Sequence, residues 1–182
     1  EAEASANKRI DIISSHEEFT KCGVEIEAAT ENPEIKIKIY ENLENIMATD
    51  AIIATNTSSL SIRTLSSTLM HPERFAGMHF FNPVPLMRLV EIIDGVRTDT
   101  GVSETLIELG RKMTREPVHC ADAPGFLVIQ VGRGYNIEAA HINSEQVAEF
   151  HDLDRILPEG AGFRMGPFTL LDLTGLDVTH PA

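Results

Sequence analysis

Phe75-Ala-Gly-Met-His-Phe-Phe-Asn-Pro-Val-Pro-Leu-Met-Arg-Leu-Val-Glu-Ile-Ile93 is the stretch that decides the fold. Two apolar runs, Phe75 to Phe81 and Leu89 to Ile93, flank Asn82-Pro83-Val84-Pro85, where two prolines fix φ and remove backbone donors. The runs read as strands and the segment between them as a rigid turn. Each run holds one ionisable residue out of keeping with its neighbours, His79 in the first and Glu91 in the second. A turn that folds the second run beside the first brings an imidazole to a carboxylate, the pairing of a general base with an orienting anion. The same residues also fit a core histidine bonded to backbone and an edge-strand glutamate facing water, and residue type alone leaves both readings open.

Upstream, Ala51 to Ala54 reads as a short buried strand, Thr55 to Ser59 as a polar turn, and Ser61 to Leu69 as a helix. Asn32 suits a helix cap and Pro33 the first helical position. Ile35, Ile39, Leu43, Ile46 and Met47 follow at helical spacing, so Pro33 to Met47 is expected to be a helix despite the period of two in Ile35-Lys-Ile-Lys-Ile39. Val24 to Ala29 reads as a strand through which Glu25 and Glu27 alternate. Glu17 to Cys22 reads as one or two helical turns, Arg9 to Ser14 as a short apolar run, and Glu1 to Lys8 as the tail of a helix. Downstream come a helix over Ser103 to Met113, a strand over Pro117 to Cys120, and a break at Ala121-Asp-Ala-Pro-Gly125. A long helix over Phe126 to Val147 follows, weakened by Gly132 and Gly134, then short helices over Asp152 to Leu157 and Phe168 to Leu173. Strands and helices alternate up to Cys120 and helices alone follow. That order argues an α/β domain, residues 1–124, and then an all-α domain, residues 125–182.

The 182 residues suffice for one domain or one and a part, and 42% are hydrophobic, enough for a core. Acidic residues outnumber basic ones 28 to 15, a net charge of −13 that argues against nucleic acid or an anionic membrane as partner. No apolar run approaches the roughly 18 residues of a membrane span. Cys22 and Cys120 are the only cysteines and no leader is legible, which points to a reduced, cytoplasmic setting. The remaining histidines, His16, His71, His119, His141, His151 and His180, lack metal-ligand spacing, so no metal is expected. Gly160-Ala-Gly162-Phe-Arg-Met-Gly166 follows a polar helix rather than a strand and reads as an interhelix turn, not a phosphate loop. In an open α/β sheet, ligands bind outside the carboxyl ends of the strands. Asn56, Thr57 and Ser58 follow one such end and His79 lies near another, although Ser58, Ser59 and Ser61 equally suit helix capping.

Several motifs in one order carry a family resemblance. They are Ile26-Glu27-Ala28 with Glu31-Asn32, Ala54-Thr-Asn-Thr-Ser-Ser-Leu60, Pro72-Glu-Arg-Phe-Ala-Gly-Met-His-Phe-Phe-Asn-Pro-Val84, Leu89-Val-Glu91, Asp122-Ala-Pro-Gly-Phe126, Met165-Gly-Pro-Phe168 and Gly175-Leu-Asp177. The chain resembles the L-3-hydroxyacyl-CoA dehydrogenases, including their 3-hydroxybutyryl-CoA branch. The resemblance implies a Rossmann-type NAD-binding domain followed by a helical C-terminal domain, and NAD-dependent oxidation of a 3-hydroxyacyl-CoA to the 3-ketoacyl-CoA in acyl-CoA metabolism. In that reading His79 matches the general base, Glu91 the carboxylate that orients it, and Ser58 the serine that contacts substrate and nicotinamide. Glu31, Lys36 and Asn82 match positions that touch NAD, and the intact protein is expected to pair as a homodimer through its C-terminal helices.

The chain also departs from that family. The opening strand, glycine-rich turn and helix are missing and the helical domain is short of the family's usual end. The chain therefore reads as an internal fragment, inactive alone, with a non-catalytic interaction or dimerisation piece as the alternative. Ile129 stands where the family has an Asn near the substrate carbonyl, and Asn136 lies two turns further on. Glu25 stands where the family strand is apolar, and an unpaired buried carboxylate is costly.

Overall fold

A computed structural model describes residues 9–175. The expected helix tail at Glu1 to Lys8, and Leu176, Asp177 and His180, lie outside the described residues.

Among the described residues five strands form one sheet in chain order: β1 (Val24–Glu27), β2 (Ile52–Thr55), β3 (Phe75–Phe80), β4 (Leu89–Asp94) and β5 (Glu116–Ala121). β1, β2 and β3 are parallel, β4 runs antiparallel to β3, and β5 is parallel to β4. The reversal follows from the connection between β3 and β4. A parallel crossover takes about a dozen residues or more, and the segment from Phe81 to Arg88 is too short for one. Six helices accompany the sheet among the described residues: α1 (Pro33–Ile46), α2 (Ile62–Leu65), α3 (Thr100–Lys112), α4 (Val128–Ser144), α5 (Phe150–Ala161) and α6 (Pro167–Thr174). A 3₁₀ segment, His16–Lys21, precedes β1.

Successive strand residues point to opposite faces, and both faces are covered. Ile53, Phe75 and Ile93 pack with Tyr40 and Leu43 of α1 and Ile62 and Leu65 of α2. Ile52, Ala54, Ala76, Met78, Val90 and Ile92 pack with Val102 and Leu106 of α3. This is an α/β sheet of the Rossmann type followed by helices, as expected. No helix among the described residues is long and apolar enough to cross a membrane.

Several elements differ in detail from the sequence reading. α1 starts as expected, with the Asn32 side chain accepting the Ile35 N–H, but its buried stripe is Lys36, Tyr40 and Leu43 while Ile35 is exposed. Lys36 turns inward to a buried carboxylate, which widens the buried face on that side, while Leu43 and Met47 are buried and Ile39 and Ile46 pack against the core as expected. The helix expected over Ser61 to Leu69 contracts to α2, since Ser66, Ser67 and Thr68 favour local turns over helix. α4 begins two residues late because Gly125 (φ 72°) and Phe126 (φ 47°) are left-handed. α5 outruns its expected span, continuing through Pro158 until Gly162 stops it at φ 73°. Its Asp154 accepts the N–H groups of Phe168 (2.8 Å) and Thr169 (2.9 Å), capping α6. A Cβ on Gly166 would lie 2.5 Å from Asp154 Cα, so the Met165-Gly-Pro-Phe168 motif is needed for this close approach.

Candidate active site

The sheet places the two ionisable residues of the opening stretch side by side. His79 on β3 and Glu91 on β4 are direct partners in the antiparallel register. His79 Nδ1 lies 2.7 Å from Glu91 Oε2, and the two residues are 3% and 0% exposed. The other carboxylate oxygen, Oε1, accepts the N–H groups of Leu127 (3.0 Å) and Val128 (2.8 Å). These are first-turn donors of α4, which no intrahelical acceptor satisfies and whose dipole favours an anion. The left-handed Gly125 and Phe126 precede them, and a Cβ at Gly125 would lie 3.2 Å from the Gln130 nitrogen. Burial pushes the Glu91 carboxyl up, but the hydrogen bonds from His79, Val128 and Leu127 outweigh it and hold the group below the usual carboxylate range.

A carboxylate only accepts hydrogen bonds, so Nδ1 carries the imidazole proton and Nε2 keeps its lone pair in the neutral ring. Ser58 Oγ is 3.0 Å from Nε2. The rings of Phe81 and Phe126 lie 4.6 and 5.9 Å from the imidazole. Hydroxyl, imidazole and carboxylate thus form one line, with the carboxylate fixed by a helix from beyond the sheet. The arrangement can take a proton from an alcohol at Nε2 and hold the resulting cation against Glu91.

The three parallel strands end at one edge, and the loops beyond their carboxyl ends hold Glu31, Ser58 and Asn82. Glu31 Oε1 accepts Thr57 Oγ1 (2.7 Å), Ser58 N (2.9 Å) and Ser59 N (3.1 Å). Asn56 Oδ1 accepts the Phe80 N–H at 2.8 Å, tying the loop to β3. The two readings of the serines separate. Ser61 caps α2, and Asp122 takes the Ser61 hydroxyl (2.8 Å) with the N–H groups of Ile62 (3.1 Å) and Arg63 (2.8 Å). Ser58 faces His79 instead.

Behind this layer, Glu27 accepts Lys36 Nζ (2.6 Å), the Tyr40 hydroxyl (2.5 Å) and the Ala29 N–H (2.6 Å). Burial pushes the Glu27 carboxyl up, but Lys36, Tyr40 and the Ala29 amide together hold it below the usual range. Lys36 is 1% exposed and stands 3.9 Å from Glu31 Oε2. Glu25 Oε2 has no hydrogen-bond partner among the described residues; burial and then the neighbouring Glu27 push this carboxyl up to about 7, against the pull of Lys36.

Of the residues singled out from sequence, Ser58, His79 and Glu91 are in mutual contact and Glu31 holds the loop that carries Ser58. Lys36 lies buried behind Glu31, and Asn82 is exposed in the loop after β3. Ile129 is partly buried in the first turn of α4, and Asn136 is about 10 Å further along the helix axis. The sequence reading gave no role to Glu27 or the Leu127 and Val128 amides, and it placed Asn56 only near the ligand-binding edge, not as a tie to β3. The signal for the amides was present, since Pro124-Gly-Phe marks a turn whose next residues open a helix.

Residues 1–123 match the family model described as "3-hydroxyacyl-CoA dehydrogenase, NAD binding domain", and residues 125–182 the one described as "3-hydroxyacyl-CoA dehydrogenase, C-terminal domain". The chain belongs to the 3-hydroxyacyl-CoA dehydrogenase family. Over 171 residues it is 41% identical to the 3-hydroxyadipyl-CoA dehydrogenase of Escherichia coli K12, covering 94% of this chain and 36% of that protein. Over 154 residues it is 42% identical to the mitochondrial hydroxyacyl-coenzyme A dehydrogenase of Sus scrofa, covering 85% of this chain and 49% of that one. The crystal structure of (S)-3-hydroxybutyryl-CoA dehydrogenase from Ralstonia eutropha matches it with a TM-score of 0.95 at 36% identity, covering 98% of this chain and 63% of that one. The chain therefore spans about a third to a half of these two curated family members.

Proposed function

We propose that this chain carries the proton-transfer site of an NAD-dependent dehydrogenase that oxidises a 3-hydroxyacyl-CoA to the 3-ketoacyl-CoA. The observation that carries the reading is the Ser58–His79–Glu91 line beyond the carboxyl ends of parallel strands, in a chain of this family. His79 Nε2 takes the substrate hydroxyl proton. Glu91, already anionic, stabilises the imidazolium and keeps the ring in the tautomer that leaves Nε2 free. Ser58 Oγ, 3.0 Å from Nε2, stands beside the point where the substrate hydroxyl meets Nε2 and hydrogen-bonds that oxygen.

NAD, when bound, supplies the hydride acceptor. The donor set at the strand ends fits its nicotinamide side: Ser58 and Asn82 offer hydrogen bonds, and the side chain of Glu31 is 44% exposed with Oε2 turned away from the loop. Lys36 acts from behind Glu31. Residues 1–124 form the cofactor-binding part and residues 125–182 the helical part. That helical part meets a second copy of the protein, a reading supported by Val131, Phe150 and Leu173, which are exposed on α4, α5 and α6. The setting is cytoplasmic.

The experiment is NADH formation from NAD and 3-hydroxybutyryl-CoA by the polypeptide carrying this chain. NADH is expected with the thioester and not with free 3-hydroxybutyrate. A folded polypeptide that oxidises no 3-hydroxyacyl-CoA overturns the proposal.

A further inference from the structure

We infer that Glu31 is a positioning residue that holds Ser58 on His79. It lies between β1 and α1, outside both. Its single oxygen Oε1 is the acceptor for four donors of one loop: Thr57 Oγ1 (2.7 Å), Ser58 N (2.9 Å), Ser59 N (3.1 Å) and Ser59 Oγ (3.2 Å). That loop has no regular structure and is fastened at each end by another side chain, Asn56 to β3 and Asp122 to α2. Between those ends Glu31 accepts the Ser58 N–H and shares the Ser59 N–H with Thr57 Oγ1 (3.4 Å), which Glu31 itself holds. A serine side chain has only a few staggered χ1 positions, so whether one of them puts Oγ 3.0 Å from Nε2 depends on where the backbone holds Cα.

Glu31 is suited to the task by its charge and by what stands behind it. Hydrogen bonds to an ionised acceptor are roughly twice as strong as neutral ones. Its other oxygen faces Lys36 at 3.9 Å, and Lys36 is itself anchored on Glu27 at 2.6 Å. A buried cation is poorly screened, so its pull keeps the Glu31 side chain in this orientation. Ordered contacts therefore run from Glu27 through Lys36, Glu31 and the loop to Ser58, His79, Glu91 and the start of α4. The role rests on the hydrogen-bonded geometry alone and is read without substrate or cofactor present.

The test is ¹⁵N NMR of the full chain with labelled histidine, following the His79 Nε2 and Nδ1 signals. Ser58→Ala supplies the Nε2 position for a lost contact. Glu31→Ala is expected to move Nε2 to that position. Glu31→Gln, whose amide oxygen accepts the same donors, is expected to restore the wild-type signal. Nδ1, set by Glu91, is expected to stay put in all three, which separates loss of positioning from general unfolding. Should Glu31→Ala fail to fold, Glu31→Asp serves in its place, since its carboxylate is one methylene short of the loop and is expected to follow Ser58→Ala. A wild-type Nε2 signal in Glu31→Ala, or in Glu31→Asp where that variant stands in, overturns the inference. So does a Glu31→Gln signal that coincides with Glu31→Ala.

Discussion

Replacing Glu91 with Gln separates the electrostatic role of this residue from its shape. In the wild type one buried carboxylate accepts three hydrogen bonds, from His79 Nδ1 and from the amides of Leu127 and Val128. Glutamine has one accepting oxygen. If that oxygen keeps the two amides, its NH₂ faces Nδ1, and His79 must shift its proton to Nε2. If it keeps His79 instead, two buried amides lose their acceptor at about 1–3 kcal/mol each, so the first arrangement wins. Three bonds then change from charged to neutral, at about 1 kcal/mol apiece, for a loss of about 2–3 kcal/mol at neutral pH. The pH dependence has a definite sign. The folded Glu91 titrates below the ordinary carboxylate range. Its stabilisation is therefore complete above that range and disappears as pH falls through the lowered folded value. Urea unfolding of the two proteins, from neutral pH down through the carboxylate range, should show a gap that closes in acid. Because the forced tautomer removes the lone pair at Nε2, the rate should fall by about 10³- to 10⁴-fold. Equal stability at neutral pH, or a gap that persists unchanged in acid, refutes the reasoning.

Three further substitutions probe other parts of the structure. Glu25 is raised from 4.5 to about 7, so the native state loses stability as pH rises through that window. Glu25→Gln should abolish this decline and gain on the order of 1–2 kcal/mol above it, allowing for partial exposure; melts on both sides of the window check it, and parallel curves count against it. Gly166→Ala forces a Cβ against the backbone of Asp154 and should cost about 1–3 kcal/mol, read as a lower midpoint in urea. Ile129→Asn adds a donor in the first turn of α4 and should raise the rate of 3-ketoacyl-CoA reduction by about 10²-fold, the size of a typical oxyanion donor; an unchanged kcat removes Ile129 from the account.

Local rules made much of this fold legible. Asn32-Pro33 announced the start of α1, and the two prolines after Asn82 announced the reversal that pairs His79 with Glu91. What stayed hidden depended on partners distant in sequence. The inward turn of Lys36 is dictated by Glu27, so Lys36 and Tyr40 joined the buried side of α1 unannounced and Ile35 was left exposed, while Leu43, Met47, Ile39 and Ile46 face the core as expected. The short α2 depends on Asp122 for its cap, from a turn far along the chain. The pairing of His79 with Glu91 was legible because residue type set both apart within apolar runs. The amides that hold Glu91 were missed because backbone donors leave no mark in residue type.

The most direct test of the central claim, that His79 moves the proton, is the rate of NAD-linked 3-hydroxyacyl-CoA oxidation by the polypeptide carrying this chain, in His79→Ala beside wild type, with both folded and saturated with substrate. Loss of a positioned general base lowers rates by about 10²- to 10⁴-fold, and a fall of about 10³-fold is predicted. A His79→Ala rate within a few-fold of wild type contradicts the account.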